Sequence, residues 1–235
     1  MQQLKDVQKL ELNIDELEKS GFPHFMLKEI FEQPRSILDS MRGRFNAING
    51  TVKLGGIEKY KKEILHAKRI IILACGTSWH AGLTAKYFFE ELAHVPVSVE
   101  YASEFRYRNP VIYKDDIVIA ISQSGETADT LAAIKLAKDR GALILGICNV
   151  VGSSIPRISD AGIYTHAGPE IGVASTKAFT AQITALLLLC IFIASDKKLL
   201  KKSELQKILQ ELEEIPRKVE ETLLLNSAIK KIAQK

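Results

Sequence analysis

Two stretches of the chain decide its fold, and they repeat one pattern: IIILACGTS at residues 70–78 and IVIAISQSGET at residues 117–127. Each begins with an apolar run typical of a buried strand and ends in a turn, rich in glycine and hydroxyl groups, that opens a helical pattern. A helix N-terminus presents free N–H groups and the positive end of the helix dipole. The two turns therefore predict an anion site, and we expect a phosphorylated metabolite there.

The remaining strands also read as continuous apolar runs followed by helices. Further strands are predicted at 97–100, 142–147 and 163–165, and helices at 78–92, 127–140 and 176–195. Continuous runs indicate a parallel sheet covered on both faces. The predicted fold class is α/β, a doubly wound parallel sheet of about five strands flanked by helices, with helical N- and C-terminal extensions. In such folds ligands bind at the carboxyl ends of the strands, where both turns fall.

Three further segments outside the sheet carry predictions of their own. A helix is predicted from about Arg35 to Ile48, and two tail helices are predicted to be split near Pro216. The longest apolar stretch, Ala185 to Ala194, is too short to span a bilayer. It is interpreted as a helix buried partly by another subunit or by a further subdomain.

Composition and charge exclude several classes of protein. The chain has 46% hydrophobic and 26% charged residues and a net charge of +4, with its basic surplus in residues 197–235. A basic helical tail without interleaved aromatics is typical of a solvated face rather than a nucleic-acid site.

Cys75, Cys148 and Cys190 lack CxxC spacing, which favours reduced thiols in the cytoplasm. The five histidines show no metal-ligand spacing.

The turn at 122–127 carries the strongest functional signal. Ser122, Ser124 and Thr127 offer three hydroxyl donors, and Gly125 lets backbone N–H groups approach an oxygen closely. The turn lacks the lysine of a phosphate-binding P-loop, and the chain has no G-x-G-x-x-G, so a monophosphate ester is favoured over a nucleotide. The alternative interpretation is a serine-rich turn that caps the following helix through Thr127 or Glu126.

A third stretch, EIGVASTK at residues 170–177, also enters a helix. Its carboxylate, its pair of hydroxyls and its lysine could contact sugar hydroxyls or shuttle protons. A capped helix with a solvated Lys177 is the alternative.

Four motifs, taken in order, make the sequence recognisable: ACGTS at 74–78, ASEFRYR at 102–108, SQSGETADT at 122–130 and EIGVASTK at 170–177. They resemble the isomerase half of the glucosamine-6-phosphate synthase family, the glutamine–fructose-6-phosphate aminotransferases, which is built from sugar isomerase (SIS) domains. The segment HFMLKEIFEQP at 24–34 resembles the entry into that half. The resemblance covers about residues 20–195.

The resemblance implies roles for particular residues. The phosphate-binding positions of the family match Ser122, Gln123, Ser124 and Thr127. The positions that line the sugar match Thr77, Ser78, Val173 through its backbone, and Ser175. Glu170 lies in the active-site loop, where it would assist proton movement. The family moves ammonia, released from glutamine, onto fructose 6-phosphate and isomerises the product to glucosamine 6-phosphate. The resemblance also implies no organic cofactor or metal, a cytoplasmic location and a homodimer.

The resemblance also predicts how the chain is organised. Residues 1–22 are expected to be a linker from a missing upstream glutaminase domain, and 23–66 the N-terminal helices of the isomerase half. Residues 67–196 would form the SIS domain, and 197–235 a helical tail leading to a missing second SIS subdomain. Such a chain is expected to bind the sugar phosphate without turning it over. The alternatives are a non-catalytic sugar-phosphate sensor module and an aldose–ketose isomerase of another sugar phosphate.

Overall fold

The structure is a computed structural model and describes residues 18–235. Most of the segment predicted as a linker, residues 1–17, lies outside the described residues. The described elements, in chain order, are α1 (Phe25–Phe31), α2 (Gln33–Met41), β1 (Phe45–Asn46), β2 (Thr51–Val52), a 3-10 helix (Gly55–Tyr60), α3 (Lys61–His66), β3 (Arg69–Ala74), α4 (Gly76–Leu92), β4 (Val97–Tyr101), α5 (Ala102–Tyr107), β5 (Asp116–Ser122), α6 (Ala128–Asp139), β6 (Leu143–Cys148), α7 (Ser154–Ile158), β7 (Ala161–Tyr164), α8 (Lys177–Asp196), α9 (Lys202–Leu223) and α10 (Asn226–Ala233).

Five of the strands form one parallel sheet in the order β4-β3-β5-β6-β7. The chain moves outward from β3 to β4 and then returns to place β5 on the other side of β3. The point between β3 and β5 is therefore where the strand order reverses, and doubly wound folds bind ligands at this point. The predicted α/β fold class is confirmed.

The apolar strands bury both of their faces because alternate side chains point to opposite sides of the sheet. Ile70 and Ile72 of β3 belong to a core shared with α4 and α8. Ile71 and Leu73 belong to a second core, shared with α5, α6 and α7. This two-sided burial explains why the strands read as continuous apolar runs rather than as alternating ones.

The apolar helix α8 is a core element of this chain. It has a mean hydropathy of 2.1, and its length and composition alone would allow it to cross a membrane, yet 72% of its apolar window is buried within the chain. It packs against α4 and α2. The prediction that Ala185–Ala194 needs another subunit or subdomain to bury it was wrong, because elements on both sides of α8 already cover it.

The helix predicted from Arg35 to Ile48 was wrong in its second half. Helix α2 ends at Met41, and β1 and β2 then form an antiparallel hairpin that pairs Phe45 with Val52. Gly43 has a φ of +71°, a left-handed conformation that a helix cannot contain. Phe45 and Val52 pack against the core shared with α4 and α8, so the hairpin buries Phe45, which the sequence pattern had assigned to a helix.

The predicted split of the tail at Pro216 was also wrong. Helix α9 continues through Pro216 to Leu223, and the break comes before α10. An apolar stripe runs along α9 on both sides of the proline, with Leu212, Ile215 and Val219 packed on the core. Packing of this stripe offsets the single hydrogen bond that an internal proline removes.

Candidate functional site

A cavity of about 380 Å³ lies at the carboxyl ends of β3 and β5, where the strand order reverses. Three segments line it: 75–78, 121–127 and 170–175. All nine residues singled out from the sequence line this cavity: Thr77, Ser78, Ser122, Gln123, Ser124, Thr127, Glu170, Val173 and Ser175. The structure thus brings together stretches that lie about a hundred residues apart in the chain.

The hydroxyls of the turn after β5 converge. Ser122 Oγ lies 3.0 Å from Thr127 Oγ1 and accepts the N–H of Gly125 at 3.0 Å. Ser124 Oγ accepts the N–H of Glu126 at 3.2 Å, and the Ser124 side chain is exposed. These local hydrogen bonds fold the turn around one point, at which polar groups of three side chains face the cavity.

Two helices begin at the cavity without a capping side chain. In the described part of the chain, neither Cys75 before α4 nor Thr127 before α6 makes a side-chain hydrogen bond to its helix. The Thr127 hydroxyl contacts Ser122 and the Glu126 carboxylate accepts the Ser154 N–H, so neither of the two expected caps of α6 is formed. First-turn N–H groups left in this way favour an anion.

Gly125 is required by the shape of the turn. Its φ is +68°, which favours glycine, and a Cβ added there would lie 1.9 Å from Ser153 Oγ. The turn at 122–127 passes close to the segment that opens α7. Any side chain at position 125 would therefore displace the turn.

The charged groups next to the turn are already paired. Hydrogen bonds from Ser154 hold the pKa of Glu126 below its ordinary value, and its carboxylate accepts the Ser154 N–H at 2.7 Å. Arg106 Nη1 lies 2.7 Å from Asp129 Oδ1, and this hydrogen bond raises the pKa of Arg106. Both carboxylates near the start of α6 thus already have hydrogen-bond partners, and that of Asp129 is paired with a cation.

The carboxylate of Glu170 caps the third helix that begins at the cavity. Its Oε1 accepts the N–H groups of Thr176 at 2.8 Å and Ala178 at 3.2 Å, and its Oε2 accepts the Ser175 hydroxyl at 2.7 Å. First-turn N–H groups of α8 are thus already bonded by a carboxylate, whereas no described side chain bonds those of α4 or α6. These contacts favour a role for Glu170 in shaping the 170–176 loop, and proton transfer by Glu170 stays a prediction.

Sequence reasoning missed a second set of acidic contacts to this loop. Glu29 of α1 is 2% exposed and binds the N–H groups of Ile171 and Gly172. Lys177, which the alternative interpretation left solvated, is 5% exposed and lies 2.6 Å from Glu32 Oε2. The only signal in the sequence was the resemblance of residues 24–34 to the entry of the isomerase half.

Other cavities do not share this chemistry. A larger one, of about 560 Å³, lies at the opposite end of the sheet, where charges of both signs line it. Another, of about 430 Å³, lies between residues 43–56 and β7. Within residues 18–235, no three His, Cys, Asp or Glu side chains are grouped as metal ligands.

Thiol reactivity should single out the cavity. Cys75 is partly exposed and lines the cavity, whereas burial raises the pKa of both Cys148 and Cys190 to about 12. At about pH 8 only about one in ten thousand of those two thiols would be ionised, and the thiolate is the nucleophile. Iodoacetamide should therefore alkylate Cys75 alone in the folded protein, as peptide mass spectrometry would report. Equal labelling of Cys148 before unfolding would contradict the burial seen here.

A parallel sheet with two helix starts and a hydroxyl-rich turn at its switch point places this chain among doubly wound α/β domains with a candidate anion site. The family model described as "SIS domain" matches residues 63–192, and the chain belongs to the SIS domain family. It is 57% identical to glutamine–fructose-6-phosphate aminotransferase (isomerizing) of Chlorobaculum tepidum over 100% of the chain, and 45% identical to form 1 of that enzyme from Rattus norvegicus over 97%.

This chain is also similar to a solved structure of the same kind of enzyme. The C-terminal domain of glucosamine-fructose-6-phosphate aminotransferase from Francisella tularensis aligns with a TM-score of 0.87 and 43% identity, over 92% of this chain and 60% of that one. The chain spans 38% of the length of the Chlorobaculum relative and 33% of the rat relative.

Proposed function

We propose that the cavity binds a sugar 6-phosphate, fructose 6-phosphate or glucosamine 6-phosphate. The phosphate would lie on Ser122, Gln123, Ser124 and Thr127, at the uncapped start of α6. The sugar would extend along Thr77 and Ser78 on one side and the Val173 backbone and Ser175 on the other. The observation that carries this proposal is the contrast between helix ends: no described side chain bonds the first-turn N–H groups of α4 and α6, whereas Glu170 bonds those of α8.

We further propose that the chain serves a glutamine–fructose-6-phosphate aminotransferase, the activity named for its relatives at 45–57% identity. In that reaction, ammonia released from glutamine is moved onto fructose 6-phosphate, and the product is isomerised to glucosamine 6-phosphate. This identity favours the aminotransferase over an aldose–ketose isomerase of another sugar phosphate and over a sensor module.

The cytoplasmic location and the homodimer are proposed on fewer observations than the ligand. Cys75, Cys148 and Cys190 are all free thiols, which supports a reducing compartment such as the cytoplasm. The homodimer now rests on the family resemblance alone, because α8 is covered within the chain.

The hydroxyls of the turn provide the direct test. Ser124→Ala or Thr127→Val should weaken fructose 6-phosphate binding about tenfold or more, since a hydrogen bond to a charged group contributes about 1.5–3 kcal/mol. Among the described contacts the Thr127 hydroxyl bonds Ser122 and makes no capping bond, so Thr127→Val should lower the stability by only about 0.5–1.5 kcal/mol, the contribution of one hydrogen bond. Isothermal titration calorimetry measures the affinity, and differential scanning calorimetry the stability.

The matched control is Thr84→Val, the same change on α4, where the hydroxyl bonds only the His80 carbonyl among the described contacts. It should bind like the wild type. Unchanged affinity in both Ser124→Ala and Thr127→Val would remove the phosphate from this turn.

A further inference from the structure

We propose that Glu29 is a positioning residue for the sugar side of the cavity, so that α1, outside the residues matched by the SIS family model, takes part in ligand selection. The inference rests on the proposed function, because it assigns the loop at 170–175 to the sugar. It concerns a side chain that does not line the cavity and acts only through the loop that does.

The contacts of Glu29 are concentrated on two consecutive backbone groups. Its Oε1 accepts the Ile171 N–H at 2.6 Å and the Gly172 N–H at 3.0 Å, and its Oε2 lies 3.2 Å from the same Gly172 nitrogen. The residue is 2% exposed. A buried carboxylate is costly unless hydrogen bonds satisfy it, and here the loop supplies those bonds.

The close approach of loop and helix depends on Gly172. A Cβ at this position would lie 2.5 Å from Glu29 Oε2 and 3.4 Å from the Met26 Cα. Val173 and Ser175 follow directly along the chain, so the place where the loop meets Glu29 fixes where their backbone and hydroxyl face the cavity. At the far end, Glu170 ties the loop to the start of α8.

A second contact, made by Glu32 at the junction of α1 and α2, reinforces the first. The Lys177 ammonium, in the first turn of α8, lies 2.6 Å from Glu32 Oε2, and the Lys177 side chain is 6% exposed. Helix α1 thus holds the loop through Glu29, and Glu32, directly after α1, holds the helix that follows the loop. This ion pair, in which the lysine is buried and the glutamate side chain is 30% exposed, favours one placement of α8 relative to the end of α1.

The phosphate side of the cavity, formed by the turn at 122–127, makes no comparable contact with α1. The hydroxyl hydrogen bonds of the turn at 122–127 join residues within the turn itself, and its bonds to other segments come from Asn149, Ser154 and Ile155, none of which belongs to α1. A change at Glu29 should therefore move the sugar contacts and leave the phosphate contacts in place. This asymmetry separates a positioning role from a general structural one, because a loss of overall stability would affect both ligands alike.

The test compares two ligands on one variant of the 235-residue chain. Glu29→Gln keeps the size of the side chain, but its NH₂ group would face the Gly172 N–H, donor against donor. We expect its affinity for fructose 6-phosphate to fall about tenfold, equivalent to ~1.4 kcal/mol, and its affinity for inorganic phosphate to change less than about twofold. Glu91→Gln, the same change at an exposed position on α4, should alter neither affinity.

Hydrogen exchange gives a readout that needs no ligand. The amides of Ile171 and Gly172 should exchange at least about tenfold faster in Glu29→Gln, while those of α6 should keep their wild-type rates. If Glu29→Gln does not fold, Glu29→Asp, which keeps the charge but shortens the side chain, takes its place in both measurements.

Three results would overturn the inference. Unchanged fructose 6-phosphate affinity, or an equal loss for both ligands, would show that Glu29 does not position the sugar side. Failure of the wild-type chain to bind fructose 6-phosphate would instead overturn the proposed function, and the inference with it.

Discussion

Replacing Gly125 with alanine is expected to reduce the affinity for fructose 6-phosphate by a factor of about 100 or more. The new Cβ would lie 1.9 Å from Ser153 Oγ and 2.7 Å from Ser153 Cβ, so the turn must move. Its movement breaks the bond from the Gly125 N–H to Ser122 and separates the hydroxyls from one another. Losing two charge-assisted hydrogen bonds at about 1.5–3 kcal/mol each accounts for the factor. Isothermal titration calorimetry would measure it.

Gly141 offers the matched control for this prediction. Its φ of +88° is also left-handed, but a Cβ there would meet nothing within 4 Å. Gly141→Ala should therefore lower stability by about 1–2 kcal/mol through backbone strain alone and bind normally. If Gly125→Ala bound fructose 6-phosphate like Gly141→Ala, the close contact with Ser153 would not shape the site.

The second large effect concerns turnover. We expect the 235-residue chain, incubated with fructose 6-phosphate and ammonia, to form no glucosamine 6-phosphate above the rate without protein. Of the described residues that line the cavity, only Cys75 and Glu170 are titratable, and the Glu170 carboxylate is engaged by Ser175, Thr176 and Ala178. A positioned proton-transfer group typically contributes about 10²–10⁴-fold in rate.

A colorimetric assay for the amino sugar would decide the question, with Glu170→Gln as the comparison. Product that forms with the wild type and disappears with Glu170→Gln would assign proton transfer to Glu170. It would also make this cavity competent without groups from elsewhere. Product that survives the substitution would point to a different acid or base.

The elements that place the cavity could be read from local sequence. The strands and the turns at 75–78 and 122–127 carry their signals within about ten residues, because apolar runs, glycine and hydroxyl groups act locally. The parallel sheet then brings their carboxyl ends to one edge by topology alone. For this reason all nine predicted residues line the same cavity.

The predictions that failed depended on distant packing. The apolar pattern before Ile48 suits a helix as well as a hairpin, and only packing of Phe45 and Val52 on the core decides between them. Burial of α8 depends on α2 and α4, from distant parts of the chain. Glu29 looks like any surface glutamate of an amphipathic helix until the loop at 171–172 is placed against it.

The contact between Glu29 and the loop has a consequence for folding order. The partners stand 142 and 143 positions apart in the chain, whereas the bonds inside the phosphate turn join residues three and five apart. Closing a long segment costs conformational entropy before any contact repays it, and contacts of high sequence separation slow folding. We therefore expect the turn at 122–127 to form early with the sheet. The loop at 170–175 should reach its final conformation only when α1 packs against it. During synthesis on a ribosome, the side of the cavity proposed to contact the sugar would therefore be completed last.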